Sequence, residues 1–228
     1  MPMRFNPLGS AMSLDLCPVL LKPNKQVKET ADSPDSAQKY SWQALKVSAF
    51  QLKKRLKCNL AGTFGLVELL GLFSAIPLAM KTFMPSHFRK MSNSLELKLG
   101  GKTNTRLDLS AFSLAEKIAL AEGAIKGIGL TNFGKLVVLC GHKSTSQNNP
   151  FASSLDCGAC GGNGGGFSAR LAAEILNDPC VRDGLARGGT TVPADTRFVA
   201  AEHDTTTDQV ELLDCDALSP EHAEKVAQ

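Results

Sequence analysis

Hydrophobic residues follow a helical period in the first half of the chain and form short continuous runs in the second. Across residues 41–57 apolar side chains recur every three or four positions, and residues 64–80 are almost entirely apolar, interrupted by Glu68 and Pro77. Both stretches predict helices, and Pro77 predicts a break in the second. These 17 interrupted residues favour a buried or interfacial helix, because a membrane span needs roughly 20 clean ones.

Polar or turn-rich stretches lie before and after these two helices. Residues 1–27 predict a loop with one buried strand at 19–21, residues 28–39 predict a linker, and the polar segment that ends at residue 101 predicts a loop. Ser113 followed by Glu116 is a capping-box pattern, which predicts a helix that ends near Gly127.

The second half of the chain has the pattern of an α/β unit. LVVLC, after Lys135, is typical of a strand buried on both faces, and it ends at Gly141 and His142. A glycine-rich loop, a helix over 168–176 ended by Pro179, a strand over 196–201 and an apolar run at 210–213 follow. This order predicts a βαβ unit in a mainly parallel sheet with flanking helices. The chain thus divides into a mostly helical portion, 1–130, and an α/β portion, 131–228.

Charge is divided unevenly along the 228 residues, although the net charge is only +3. Residues 1–100 carry 14 Lys and Arg against 6 Asp and Glu, whereas the remainder carries 11 against 16. The basic run within 41–57 is interpreted first as a solvated helix face, with anionic lipid or an acidic partner as alternatives. No nucleic-acid-binding motif accompanies it, so nucleic acid is not an expected partner.

The seven cysteines favour a reducing compartment, because their number is odd, their spacing is irregular and no signal peptide opens the chain. Five of them are interpreted as packing or incidental residues: Cys17, Cys58, Cys140, Cys180 and Cys215. His87 and His222 are interpreted as exposed surface residues.

Candidate chemistry lies where the two predicted strands of the α/β portion end, since ligands bind at the carboxyl ends of strands in open α/β sheets. If the strands are neighbours, the following groups converge: His142, Asp156, Cys157, Cys160, Glu202, His203 and Asp204. Imidazole nitrogen and thiolate sulfur are ligands that zinc prefers, and the glycines allow Cys157 to fold back towards His142.

Other interpretations of this loop stay open. Cys157-x-x-Cys160 is also compatible with a redox dithiol or half of a structural zinc knuckle, and His142 with an ordinary loop histidine. Phosphate binding is disfavoured, because GGNGGG does not match GxGxxG and the Walker lysine and serine are missing.

Several segments together resemble the DabA-type subunits of bacterial inorganic carbon transporters. They are LCGHKSTSQNNPFASSLDCGACGGNGGG, LNDP and FVAAEHDTTTD, with PLGSA and CPVLLKP near the start. The resemblance implies a β-carbonic-anhydrase-like core with a Zn²⁺ site that hydrates CO2 to bicarbonate. It also implies a peripheral position on the cytoplasmic face of the inner membrane, bound to a multi-spanning, proton-channel-like DabB partner.

Mapped onto this chain, the family's histidine ligand falls on His142 and its second cysteine ligand on Cys157. The resemblance also covers Cys160, Asp156, Glu202 and His203. It assigns these residues no ligand role, and we expect them only to support the ligands. The other two ligands belong to an upstream Cys-x-Asp-x-Arg segment that nothing here matches.

We therefore expect an internal fragment with half a metal site, which binds zinc weakly and hydrates no CO2 alone. The rival interpretations are a non-catalytic protein that binds a membrane partner, and an inactive truncated product.

Overall fold

The computed structural model describes residues 2–10, 13–18, 20–31, 37–57, 59–100, 105–146, 149, 151 and 154–214. In these residues seven strands form two small mixed sheets. The strands are β1 (Met3–Asn6), β2 (Leu14–Leu16), β3 (Gln26–Ala31), β4 (Thr105–Asp108), β5 (Leu136–Lys143), β6 (Arg197–Asp204) and β7 (Gln209–Leu213). The helices are α1 (Ala37–Lys57), α2 (Leu60–Phe83), α3 (Pro85–Gly100), α4 (Leu114–Ile128), α5 (Gly166–Asn177) and α6 (Pro179–Arg187).

The expectation of a mainly parallel sheet is not confirmed. The first sheet has the order β2-β1-β3-β4 and the second the order β5-β6-β7. Only β1 with β3, and β5 with β6, pair in parallel among the described strands, and the other pairs are antiparallel. The strand β7 is antiparallel because only four residues, 205–208, separate it from β6, and a parallel crossover needs a dozen or more.

The apolar run of β5 predicts a strand that is buried on both faces. The structure shows that β5 is partly exposed instead. Val138 is 44% exposed and Cys140 is exposed as well. The reason is its position, since β5 lies at one end of the described three-stranded sheet and β6, in the centre, is the better buried strand.

The strand expected at 19–21 is wrong for the described positions, because Leu20 lies in a turn and is 96% exposed. The buried strand of this region is β2 instead, and Leu16 is fully buried. The strand β3 falls in the segment expected to be a linker, where Val27 is the buried residue.

Three consecutive helices, α1 to α3, fill much of the mostly helical portion. Pro77 does not break α2, which continues to Phe83; the exposed surroundings leave water free to bind the carbonyl group that proline cannot satisfy. The chain bends instead at Met84, which precedes a proline and is therefore disfavoured in helical geometry. Residues 85–100, expected to form a loop, are helical because Pro85 occupies the favoured first position of α3.

The apolar side chains of α2 are exposed rather than buried in the described structure. Among them Leu69 is 76% exposed, Leu72 is 83% exposed and Phe73 is 70% exposed. No single helix in the described residues has the length and hydropathy to cross a membrane. Val67–Phe83 and Pro85–Leu95 reach that threshold only as a pair, bent by 119°.

The helices around the second sheet begin and end at recognisable signals. Ser113 and Glu116 form the expected capping box of α4, and Gly129 ends this helix in the left-handed region at φ 73°. Pro179, which predicts the end of α5, is also the first residue of α6, and Asp178 caps that helix through the Cys180 N–H.

One hydrophobic cluster joins the two sheets. It contains Phe5 and Val27 from the first sheet together with Leu171 and Ile175 from α5 and Phe198 from β6. The core therefore draws side chains from both sides of residue 130. The division into two domains at that residue stays a prediction.

Candidate functional site

The parallel pair of β5 and β6 brings the two predicted strand ends together. His142 is the register partner of His203, and Lys143 is the partner of Asp204. The two strands are therefore neighbours, which is the condition set for the convergence of the candidate groups; their gathering into one site stays a prediction. His142 lies inside β5, one residue before its end, rather than in the loop that follows.

The two faces of this pair carry different groups, because successive side chains of a strand alternate between faces. Glu202 points towards α5, since its Oε1 accepts a hydrogen bond of 2.8 Å from the Gly166 N–H. Lys143 lies on the same face, with Nζ 2.7 Å from Glu202 Oε2. Burial opposes its charge, but the Glu202 carboxylate outweighs burial and raises the pKa of Lys143. His142 and His203 lie on the opposite face.

A close approach of two glycine backbones holds the glycine-rich loop against β5. The Gly165 N–H donates to the His142 carbonyl at 2.8 Å. A Cβ on Gly141 would lie 2.4 Å from the Gly165 carbonyl carbon, and one on Gly165 would lie 2.9 Å from the His142 nitrogen. Larger residues at these positions would push the loop away from the strand that carries His142.

Cys157 begins a tight turn in this loop. The Cys160 N–H donates to the Cys157 carbonyl at 2.9 Å, and the Cys157 N–H donates to Asn163 O at 3.2 Å. A short 3-10 helix, Gly158–Cys160, follows, and Gly161 leaves it at φ 68°. Cys157 is half-buried and Cys160 is only 5% exposed.

A hydrogen bond ties the Cys157 turn to the end of β5. The Ser144 N–H donates to Asp156 Oδ1 at 2.7 Å. Asp156 directly precedes Cys157, and Ser144 is two residues after His142. The loop that carries Cys157 is therefore anchored at the strand end that carries His142, by this bond and by the Gly165 bond.

The two thiols of the turn are neighbours. Burial is the main cause of the raised pKa of Cys160; a hydrogen bond with the Cys157 thiol raises it further, while the Ser168 hydroxyl acts against it. The Cys160 Sγ lies 3.5 Å from Ser168 Oγ, which belongs to the first turn of α5.

The other candidate side chains have partners of their own. His203 Nε2 lies 2.8 Å from Asp208 Oδ1. Asp204 accepts hydrogen bonds from Thr145 Oγ1 at 2.5 Å and the Thr206 N–H at 2.9 Å. Although burial opposes its ionisation, these bonds lower the pKa of Asp204.

Imidazole nitrogen and thiolate sulfur fit zinc by their chemistry, so His142 and Cys157 suit this ion as two ligands. In the described part of the chain, no group of three or more His, Cys, Asp or Glu side chains is arranged to hold a metal. The described residues thus fit part of a zinc shell, and the ligand roles of His142 and Cys157 stay predictions.

An apolar cavity of about 170 Å³ lies on the side of β5 that faces α5 and reaches Gly141, the residue before His142. The side chains and backbone that line it come from α4, β5 and α5: Ala124, Ile125, Ile128, Leu130, Leu139, Cys140, Gly141, Ala169, Ala172 and Leu176.

Two arginines that connect this site to the rest of the molecule were missed at the sequence level. Arg89, on α3, donates to Thr145 Oγ1 at 3.0 Å and lies 3.8 Å from Asp204 Oδ2. Its segment was expected to be a loop, so no periodicity pointed to it. Arg170, on α5, is 8% exposed and contacts Glu29 and Asp214, each at 2.6 Å. Glu29 is 141 residues away in the chain, and no local pattern predicts such a pair.

Of the residues expected to be incidental, Cys17 is buried with its thiol donating to the Leu21 carbonyl at 3.2 Å, and Cys180 is exposed. His87 is exposed, as expected. Cys58, Cys215 and His222 lie outside the described residues.

These elements define a mixed α/β protein in which a glycine- and cysteine-rich loop folds onto a histidine-bearing strand. The family model described as "Probable inorganic carbon transporter subunit DabA" matches residues 1–228, and the chain therefore belongs to this family. The family resemblance found in the sequence is confirmed.

Individual relatives carry the same description. A probable inorganic carbon transporter subunit DabA of Legionella pneumophila (strain Lens) is 41% identical over 226 residues, which cover 94% of this chain and 30% of the relative. One of Natronomonas pharaonis is 36% identical over 232 residues, covering 99% of this chain and 29% of the relative. One of Rhodopirellula baltica is 38% identical over 248 residues, covering 100% of this chain and 27% of the relative. The chain thus spans less than a third of each of these proteins. No solved structure matches it.

Proposed function

We propose that this chain is part of an inorganic carbon transporter subunit and supplies two ligands, His142 and Cys157, to a zinc site that hydrates CO2 to bicarbonate. The observation that carries the proposal is the anchoring of the Cys157 loop at the end of β5, through Gly165 to His142 O and through Asp156 to the Ser144 N–H. In this proposal the loop supplies a soft ligand and the strand end a borderline one.

The protein's own residues position the ligands and shape their surroundings. Backbone bonds at Gly165 and Ser144 fix the loop, so the Cys157 thiolate needs little ordering when a metal binds. Zinc, when bound, supplies the Lewis acidity that allows water to react with CO2 near neutral pH.

The finer assignments follow the family resemblance. The core corresponds in this proposal to part of a β-carbonic-anhydrase-like fold, and the remaining ligands come from outside the described residues. The subunit lies on the cytoplasmic face of the bacterial inner membrane and binds a multi-spanning, DabB-type partner. The exposed apolar side chains of α2 and the basic excess of residues 1–100 favour such a membrane-bound partner.

Zinc affinity tests the proposed ligands. The purified chain competes for zinc with a chromogenic chelator, and a His142→Ala, Cys157→Ala double variant is measured in the same way. The matched control is His87→Ala, Cys180→Ser, in which both altered residues are exposed. We expect weak zinc binding by the wild type and the control, and none by the double variant. Equal zinc binding by all three proteins would exclude His142 and Cys157 as zinc ligands.

CO2 hydration by the same samples, measured by stopped flow, separates a partial site from a complete one. We expect no hydration by the chain alone, because two ligands leave the ion mostly to water. Tight stoichiometric zinc with measurable hydration would mean that other residues, such as Cys160 or His203, complete the shell.

A non-catalytic role in binding the membrane partner is the second candidate, favoured by the exposed apolar surface of α2. It predicts that the His142→Ala, Cys157→Ala variant keeps partner binding and sustains undiminished carbon uptake. Loss of uptake with retained partner binding would favour the zinc site.

A further inference from the structure

Cys157 and Cys160 form a thiol pair in which one member is accessible and the other is enclosed. Cys157 is half-buried, whereas Cys160 is 5% exposed. The Cys157 thiol lies close enough to that of Cys160 to raise its pKa. An accessible thiol is the one that meets a solute, and an enclosed neighbour reacts next with whatever forms on it.

The backbone of the turn is compatible with a bond between these two sulfurs. The Cys160 N–H donates to the Cys157 carbonyl at 2.9 Å, which closes a four-residue turn. Such turns bring the first and last Cα atoms within about 7 Å, and disulfides span Cα separations of about 4.4 to 6.8 Å. Gly158 and Ala159, the residues between the cysteines, are both small and exposed.

Two other thiols of the described residues, Cys17 and Cys180, lie in different surroundings. The Cys17 thiol donates to the Leu21 carbonyl. Cys180 is exposed on α6 and serves as a reference for an ordinary surface thiol.

We propose that Cys157 and Cys160 are a redox-active dithiol, oxidised by a low-molecular-weight disulfide to an intramolecular disulfide. The Cys157 thiolate attacks one sulfur of the small disulfide, whose S–S bond breaks and releases one small thiolate. Cys160 then gives up its proton and attacks the Cys157 sulfur of the mixed disulfide. The new S–S bond forms as the second small thiol leaves with a proton. Two electrons pass from the protein to the small disulfide, which ends as two thiols.

The consequence for the metal rests on the proposed function. A Cys157 sulfur bonded to Cys160 is no longer a thiolate and cannot bind zinc. Oxidation would therefore switch off the site by removing one of its ligands, and reduction would restore it.

Mass spectrometry of a tryptic peptide tests the proposal. Trypsin releases both cysteines in one peptide, residues 144–170, because this segment has no internal Lys or Arg. The reduced chain is incubated with oxidised glutathione, and its remaining thiols are alkylated. After digestion with trypsin, the mass of this peptide is measured. We expect it to lose two hydrogens and to resist alkylation, with the internal disulfide exceeding the glutathione adduct by ~10-fold or more because the second step is intramolecular.

Variants assign the two roles. Cys160→Ser is expected to hold glutathione stably on Cys157, Cys157→Ser to leave the enclosed Cys160 unmodified, and Cys180→Ser to behave like the wild type. A wild-type peptide that keeps two alkylatable thiols, or that keeps glutathione on Cys157, would overturn the proposal. The wild-type result needs no variant, so a misfolded variant cannot mask it.

Zinc added before glutathione separates this proposal from the proposed function. Slower disulfide formation with zinc supports both. Unchanged disulfide formation would support the dithiol while removing Cys157 from the metal site.

Discussion

Gly141 and Gly165 are the residues on which the site geometry depends most directly. Their backbones approach so closely that a Cβ on Gly141 would lie 2.4 Å from the Gly165 carbonyl carbon. Real Cβ atoms do not tolerate such a distance, and the obstacle is backbone rather than the end of a flexible side chain. The loop that carries Cys157 can reach β5 only because position 141 has no side chain.

Replacing Gly141 by alanine is therefore expected to lower the free energy of unfolding by about 1–3 kcal/mol, the usual cost of overpacking. Urea unfolding measures the change. Gly123→Ala is the matched control, because Gly123 is an exposed α4 residue with open space at its Cβ position; it should gain about 0.5–1 kcal/mol from helix propensity. Equal effects of the two substitutions would contradict this account of the loop.

At the residue level, the sequence predicts the strands that carry the candidate groups better than the placement of the groups themselves. Apolar runs before His142 and His203 predict two strands whose ends meet if they are neighbours, and the register pairs these two residues. Asp204, by contrast, is buried beneath Thr145 and Thr206, and such burial depends on loops whose path no local pattern determines. The ligand roles of His142 and Cys157 came from family resemblance, since residue types alone left several interpretations open.

Between elements, the buried guanidinium of Arg170 connects α5 to the first sheet. It contacts Glu29 on β3 at 2.6 Å and the Thr105 carbonyl on β4 at 3.1 Å. Glu29 in turn accepts hydrogen bonds from Thr105 Oγ1 at 2.6 Å and from the Leu8 N–H at 3.0 Å. Because α5 begins directly after the glycine-rich loop, this network fixes the helix against which the candidate site is built.

The Glu29 carboxylate makes this connection dependent on pH. Burial opposes its ionisation, but the bonds from Leu8, Thr105 and Arg170 outweigh burial and lower the pKa of Glu29 below its ordinary value of 4.5. A carboxylate whose pKa is lowered by folding adds stability above its unfolded pKa, and this contribution is lost as the pH falls through the folded pKa. Glu29→Gln should therefore reduce the free energy of unfolding by about 1–3 kcal/mol at neutral pH.

The difference between Glu29→Gln and the wild type should shrink as the pH falls below 4.5, as followed by urea unfolding across a pH series. Asp15→Asn is the control, because Asp15 pairs with Arg4 at 2.8 Å at an exposed position and its loss should not measurably change stability. A constant gap at every pH would show that Glu29 does not act through its charge.

The elements themselves were predictable where the signal is local. The capping box of Ser113 and Glu116 and the aliphatic run of β5 each lie within a few residues, and both are confirmed as element positions. The strands β3 and β4 were missed because each is short and mostly polar, and they pair across 76 residues. The helix α6 is not predicted, because Pro179 after α5 indicates a helix end, whereas proline at a first helical position also starts a helix.

At the scale of the whole molecule, the apolar residues are unevenly covered. The core cluster around the two sheets buries Phe5, Leu171 and Phe198, whereas α2 leaves its large apolar side chains in contact with solvent. Monomeric proteins rarely expose contiguous apolar patches of more than a few hundred Å². An exposed surface of this kind is typical of an interface whose partner is absent.

This exposure predicts that the purified chain self-associates without detergent. Leu69, Leu72 and Phe73 are spaced three and four residues apart on one face of α2, so together they present a continuous apolar surface. Burying such a surface gains roughly 25 cal/mol per Å², which favours contact between copies when no other partner is present. Changing all three to serine should yield a monomer by light scattering coupled to size exclusion, and mild detergent should have the same effect on the wild type.

The control for this surface is Ala75→Ser, Ala79→Ser, which adds two hydroxyls to exposed positions of the same helix while removing no large apolar side chain. Because the self-association is attributed to apolar area rather than to helix polarity, this control should associate like the wild type. A wild-type chain that is monomeric without detergent would mean that the exposed face of α2 is too dispersed to act as an interface, and the membrane-partner role proposed for it would lose its main support.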